Sequence, residues 1–293
     1  MHPERLPLHG RTALVTGVSR RRGIGYAVAT TLARLGAHVF IHHHRPHDLD
    51  QPWGGDDLDA VRAGIAAALA PDARMGDRGG DLAAASVIED VLDAASALTG
   101  SLDILICNQA VSGSDGGVLD MTPERLDRHW DVNARATLLL TAGFARRKAH
   151  ALGAVTERVL RPGERPDALG PFERPTGSVV WMTSGQVHSP MPGEVAYATS
   201  KAALAGVTAS AAADLLRLGI TLNTVDPGPV NTGYLDPESS DRDAGAMDWL
   251  DRLPFGRLGV PDDPARLIGW LCTEAGAWIV GQVLTSDGGF RLT

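Results

Sequence analysis

The sequence holds two cysteines, Cys107 and Cys272, and two lysines, Lys148 and Lys201, among 293 residues. Two thiols cannot build a disulfide framework and fit a reducing compartment, so a cytoplasmic protein is expected. No apolar run approaches the ~20 residues that span a bilayer. Met1 to Arg11 carries Pro and charge where a signal peptide has an apolar core. Neither a membrane anchor nor a secretory segment is therefore expected. Cations are outnumbered: 27 basic against 35 acidic residues leave a net charge of −8, which disfavours nucleic acid as a partner. The 34 Gly and 18 Pro follow no repeat period, and 44% apolar with 21% charged residues is a globular balance. Collagen, coiled coil and wholesale disorder are excluded.

Short apolar runs alternate with longer helical patterns. Thr12–Thr16, Val39–Ile41, Leu102–Cys107, Gly177–Thr183, Ile220–Val225 and Ile279–Thr285 read as strands. A helix is expected from Gly23 to Leu35, and Ala-rich helical stretches near 58–70, 82–99, 122–151, 194–218 and 263–275. A further strand near Ala73 to Gly80 is poorly marked. Apolar strands alternating with helices imply a parallel sheet covered on both faces. Two segments have insertion composition: Arg45–Asp57, rich in Asp, Pro and Gly, and about 153–176, rich in Pro and charge. Neither separates two complete strand sets. A length of 293 residues then means one domain enlarged near 45–57 and 153–176.

Thr16-Gly17-Val18-Ser19-Arg20-Arg21-Arg22-Gly23-Ile24-Gly25 stands between the first strand and the first helix. Glycines there let backbone approach a pyrophosphate, and the helix start offers free N–H groups. Taken alone, this turn also fits a tightly packed helix start. Tyr197-Ala198-Thr199-Ser200-Lys201 places a phenol and an ammonium one helical turn apart. Three Tyr and two Lys in this length make that spacing a roughly 2% accident. A nearby cation favours phenolate and brings a phenol toward the working range of acid–base catalysis. Ser184 ends a strand 13 residues upstream, at the carboxyl edge where ligands bind such sheets.

Thr16-Gly17…Gly23-Ile24-Gly25, Asn108-Gln109-Ala110, Asn133, Ser184, Tyr197…Lys201 and Pro227-Gly228 together resemble the short-chain dehydrogenases/reductases, from about Leu8 to Phe290. The Ser184–Tyr197 spacing and Gly281-Gln282-Val283…Asp287-Gly288-Gly289 are similar to 3-oxoacyl-carrier-protein reductase-like members. The resemblance implies an α/β fold: a single Rossmann-type doubly wound domain over 1–293, with a seven-stranded parallel sheet and helices on both faces. It implies hydride transfer between a nicotinamide cofactor and a carbonyl or secondary alcohol. Tyr197 would be the general acid/base, Ser184 would bind the oxygen, and Lys201 would lower the Tyr pKa and contact the ribose. Asn133 would help hold a water linking Lys201 to solvent. Cofactor contacts are expected from Gly17, Ser19, Arg20, Arg21, Arg22, Gly23 and Ile24. The same role is expected of His43, His44, Arg45, Asp81, Leu82, Asn108, Ala110, Tyr197, Lys201, Pro227, Gly228, Val230 and Thr232.

Two departures matter. The glycine turn is two residues longer than usual, as in enoyl-carrier-protein reductases, but those place Tyr and Lys seven apart; the spacing of four here favours carbonyl reduction. Gln109 and Val111 stand where Asn and Gly are frequent, which alters the fine shape of the nicotinamide-side turn. NAD sites commonly hold the ribose 2′-hydroxyl on an acid after the second strand. Here His42-His43-His44-Arg45 follows, and the first carboxylate is Asp48. With Arg20, Arg21 and Arg22 this suits a 2′-phosphate, so NADP(H) is expected rather than NAD(H).

No metal site is expected, because successive strand histidines point to opposite faces and no Cys or carboxylate cluster completes a ligand set. His188 either lines the pocket or is a solvated loop residue. Tyr234, Met247, Trp249, Leu250 and Phe255 fall where relatives carry a mobile lid, compatible with an apolar or acyl substrate or with packing of the lid itself. Small residues on the helices at 122–151 and 194–218 accompany dimers and tetramers in the family, so a homodimer or homotetramer is expected. The competing functions are enoyl reduction or epimerisation on the same nucleotide site, and non-catalytic NADP(H) sensing.

Overall fold

The computed structural model describes residues 6–154, 160–164, 167–236 and 255–292. Strand β1 (Thr12–Val15) is buried throughout, and its alternate side chains feed different cores. Ala13 and Val15 join one apolar cluster, Leu14 the other. In β2 (His38–His43), Val39 and Ile41 oppose Phe40; in β4 (Ile104–Cys107), Ile104 and Ile106 oppose Leu105 and Cys107. In β5 (Gly177–Met182), Val180 and Met182 oppose Val179 and Trp181. Both faces of these strands are thus apolar, as a sheet between two helical layers requires.

One layer contains α1 (Ile24–Arg34), α3 (Leu58–Ala66) and α8 (Asp262–Leu271), whose Val28, Val61 and Ile268 enter the first cluster. The other contains α4 (Ala85–Ala97), α6 (Ala136–Ala151) and α7 (Val195–Leu216), through Val91, Leu140 and Leu204. With β3 (Met75–Gly79), β6 (Ile220–Asp226) and β7 (Val283–Thr285), the sheet has seven parallel strands in the order β3-β2-β1-β4-β5-β6-β7. The order reverses between β1 and β4. Crossovers leave in opposite directions there and open a crevice at the carboxyl ends of the strands.

Three expectations change. The stretch 122–151 is not one helix: α5 (Pro123–His129) passes through a π turn, Trp130–Arg135, into α6. That widened turn carries Asn133 fully buried, and such turns gather at functional sites. The last strand shortens to Val283–Thr285. Arg45–Asp57 is not loop alone, because Pro46 lies in the first turn of a short helix, α2 (Arg45–Leu49), where its missing N–H costs nothing. The second insertion, of which 155–159 and 165–166 lie outside the described residues, runs into the amino end of β5, where Thr176 N bonds Gly219 O at 2.9 Å.

Candidate active site

A cleft of about 1010 Å³ opens along the carboxyl ends of the strands. Its floor begins at Gly17, whose φ of +70° is left-handed. A Cβ there would stand 2.8 Å from Gln109 Cα, and one on Gly25 would stand 2.6 Å from Asn108 Nδ2. Only glycine gives the turn this approach. Asn108 Nδ2 donates to Thr16 O and Gly17 O at 3.0 and 3.1 Å, closing β1 onto β4. Gln109 braces the same turn from below, with Nε2 donating to Val132 O (3.2 Å) and Thr137 Oγ1 (2.9 Å). Its longer reach carries the turn to the π segment.

Of the turn residues, Gly17, Ser19, Arg20, Gly23 and Ile24 line the cleft, as do His44, Asp81, Leu82, Asn108 and Ala110. Pro227, Gly228, Val230 and Thr232 line it from the segment after β6. Arg21, Arg22, His43 and Arg45 do not line it, which departs from the expected contact set. Arg21 pairs with Asp56 at 2.8 Å, Arg22 with Asp236 at 2.8 Å, and His43 bonds Asp77 at 3.0 Å. The cationic turn read from sequence is therefore largely neutralised by aspartates distant in the chain.

Arg20 faces the cleft and is itself matched. Its Nε lies 3.1 Å from Asp48, its Nη1 donates to Thr232 O at 3.0 Å, and its guanidinium lies 5.6 Å from the Trp53 ring centroid. The Ser19 hydroxyl also donates to Asp48. The segment 45–57 thus arches across the cleft: Trp53 meets Tyr234 edge-on at 6.2 Å, and Gln51 Oε1 sits 3.2 Å from where a Cβ on Gly113 would lie. From its composition this segment reads only as an insertion. It in fact supplies Pro46, His47, Asp48, Asp50, Gln51, Pro52 and Trp53 to the cleft wall.

Ser184, Tyr197 and Lys201 line the same cleft, and Asn133 lies behind it. Lys201 Nζ is 5.8 Å from the Tyr197 ring centroid and donates to Met182 O at 3.0 Å. Burial pushes the Tyr197 phenol up to about 12, against a lowering by the Ser184 hydroxyl. Burial also brings the Lys201 ammonium down to about 8. Desolvation therefore outweighs the Ser184 hydrogen bond, and the expected lowering of the phenol pKa by Lys201 is not what sets it. Asn133 Nδ2 donates to Val111 O and Ser200 Oγ, both at 3.0 Å, and its Oδ1 accepts from Val111 N at 2.7 Å. Both amide hydrogens are engaged in tying the turn after β4 to α7.

His42 was missed as a structural part of the site. It is buried, its Nε2 donates to Gly80 O at 2.8 Å, and its Nδ1 accepts from Gly17 N at 3.4 Å. Burial lowers its pKa from 6.5 to about 4. The unfolded chain therefore takes up this proton first as pH falls. Stability from neutral His42 is complete above about pH 6.5 and is lost down to about 4, by up to roughly 3 kcal/mol. Urea unfolding at pH 7 and pH 4.5 checks this: His42→Gln is expected to flatten the difference, and an equal acid loss in the variant contradicts the assignment.

His42, His43 and His44 diverge, and no group of three or more metal-ligating side chains occurs among the described residues. His188 is off the cleft, bonded to Thr285 Oγ1 at 3.0 Å and 3.5 Å from Asp226. Of the residues that fall where relatives carry a lid, Tyr234 lines the cleft and Phe255 is exposed; Met247, Trp249 and Leu250 lie outside the described residues. Among the described residues no helix is long and apolar enough to cross a membrane.

A family model described as enoyl-(acyl carrier protein) reductase matches residues 17–157 and 167–291. The chain is 34% identical over 284 residues to the Bacillus subtilis "Uncharacterized oxidoreductase YjdA", covering 96% of each chain. It is 30% identical over 292 residues to human "Dehydrogenase/reductase SDR family member 4", covering 97% of this chain and 88% of the relative. A solved short chain dehydrogenase from Burkholderia cenocepacia in complex with NADP matches at TM-score 0.74 and 30% identity, covering 97% of this chain and 99% of that one. The chain is an oxidoreductase of the short-chain dehydrogenase/reductase family.

Proposed function

We propose that this oxidoreductase is one catalytic domain that transfers a hydride between NADP(H) and the carbonyl or secondary alcohol of a small molecule. The observation that carries the reading is the meeting of Ser184, Tyr197 and Lys201 in the cleft that begins at the glycine turn. The nucleotide would lie along Gly17, Gly23 and Ile24, with its nicotinamide end toward Asn108, Ala110, Pro227 and Gly228. Bound there, it supplies the hydride. Ser184 holds the substrate oxygen by its hydroxyl. Tyr197 donates its phenolic proton to that oxygen in reduction and takes it back in oxidation. Lys201, held on Met182 O, orients toward the ribose and stabilises developing phenolate. The chain's contribution is alignment and electrostatics.

The NADP(H) reading rests on the neutralised acid. Ser19 and Arg20 already bond Asp48, so the first carboxylate after β2 is engaged and charge-paired within the turn, unlike the acid that an NAD site commonly presents to the ribose 2′-hydroxyl. His44 and His47 line the wall beside it. The Burkholderia relative's NADP supports the same choice. Measured side by side, kcat/KM is expected to favour NADPH over NADH by roughly tenfold or more, the difference one charge-assisted contact supplies; a preference for NADH overturns it. Met182, Met191 and Tyr234 line the cleft and support an apolar or acyl-bearing substrate. Exposed Leu138, Leu139 and Leu216 on α6 and α7 support assembly as a homodimer or homotetramer.

The matching family model's description favours enoyl reduction as a second reading. Against it stands the Tyr197–Lys201 spacing of one helical turn, which puts both groups over one point of the cleft.

A further inference from the structure

We propose that Asp115 is a positioning residue for Tyr197, acting by capping the catalytic helix from a different loop. The proposal rests on the reading of Tyr197 as general acid/base. Helix α7 begins at Val195, and its N-cap residue, Glu194, makes no side-chain capping bond. The first-turn N–H groups of a helix have no partner inside it. Here they are met from the segment after β4. Val195 N donates to Gly116 O at 3.1 Å, Ala196 N to Asp115 Oδ1 at 3.0 Å, and Tyr197 N to Asp115 Oδ2 at 2.7 Å. Asp115 Oδ1 also accepts from Gly116 N at 2.8 Å.

The carboxylate that takes the backbone N–H of Tyr197 is itself buried, with 4% of its side chain exposed. A negative charge at the positive end of a 22-residue helix is placed favourably. The loop makes a sharp approach to reach it. Gly113 and Ser114 have φ of +75° and +50°, and a serine in the left-handed region persists where surrounding contacts over-determine it. Below, fully buried His129 stands edge-on to the Tyr197 ring, 6.5 Å between centroids at 83°, with its Nε2 3.9 Å from Asp115 Oδ2. His129 Nδ1 is fixed on Arg125 O at 2.9 Å. At its base the same loop is tied to α7 through Asn133, which bonds Val111 and Ser200. Tyr197 is therefore gripped at its backbone by Asp115 and along its ring by His129, while its hydroxyl end is left to the cleft. Asp115 acts on the phenol's place, not on the reacting atoms.

The test compares Asp115→Ala, Asp115→Asn and Tyr197→Phe in the full chain, with NADPH and one turned-over carbonyl substrate. Loss of the grip displaces the phenol, and misplacement on the order of 1 Å costs about 100-fold in rate. Asp115→Ala is expected to lower kcat by about 10- to 100-fold, with the NADPH Kd and substrate KM within about threefold of the parent. Asp115→Asn, which keeps one acceptor oxygen and the volume, is expected to fall between the two in kcat. Unchanged kcat in Asp115→Ala overturns the proposal, as does a kcat loss matched by an equal loss of NADPH affinity. Should Asp115→Ala not fold, Asp115→Asn decides by the same criteria. If Tyr197→Phe also retains the parent rate, the proposed function itself fails; if it abolishes turnover while the Asp115 variants do not slow, only the role of Asp115 falls.

Discussion

Replacing Tyr197 with phenylalanine lowers kcat for carbonyl reduction by about 10²- to 10⁴-fold, the range a positioned general acid contributes. The variant loses one oxygen and keeps the ring that packs edge-on against His129 and lies 5.8 Å from Lys201 Nζ. Nucleotide affinity and Tm are therefore expected to stay near those of the parent. NADPH oxidation with a carbonyl substrate measures the effect, and a variant with the parent rate contradicts the assignment. The pH profile carries the same chemistry. Tyr197, held near 12, remains protonated across the working range, whereas Lys201, brought down to about 8, loses its charge as pH rises. Reductive kcat/KM is thus expected to be flat below about pH 8 and to fall above it.

The second large effect is expected at Gly17. Alanine there must adopt a φ of +70° and place its Cβ 2.8 Å from Gln109 Cα and 3.0 Å from Gln109 N. Those are backbone atoms, so no side-chain rotation relieves the overlap. The turn moves away from Asn108-Gln109, and the helix N–H groups leave the position in which they would meet the proposed cofactor's pyrophosphate. Binding must then restore the strained geometry, at a cost of about 1–3 kcal/mol. NADPH Kd is expected to rise roughly 10- to 100-fold, read by fluorescence titration. Gly10→Ala is the control: its φ is +77° and nothing lies within 4 Å of the added carbon. Its strain bears on folding alone, and its nucleotide affinity stays that of the parent. Equal affinity in Gly17→Ala contradicts the cradle.

Legibility followed how local each signal is. Strands such as Ile104–Cys107 are apolar on both faces and announce themselves. Edge strand Met75–Gly79 carries two glycines, an Asp and an Arg and is half-exposed, so its sequence resembles a turn. Tyr197 and Lys201 were legible because one helical turn relates them. The partners of Arg20, Arg21 and Arg22 were not, because Asp48, Asp56 and Asp236 reach the turn through the tertiary fold. Segment 45–57 read as an insertion because Pro, Asp and Gly dominate it, and only the fold shows it crossing the cleft. Asp115 and His42 leave no local mark either. One caps a helix some 80 residues away in sequence, and the other hides among three consecutive histidines.

The central claim, hydride delivery to a carbonyl carbon, is tested most directly with NADPH deuterated at nicotinamide C4 and an α,β-unsaturated ketone as substrate. Mass spectrometry of the product locates the label. An allylic alcohol with deuterium on the carbinol carbon is expected; a saturated ketone with deuterium at the β-carbon, or no transfer to any carbonyl substrate offered, overturns carbonyl reduction.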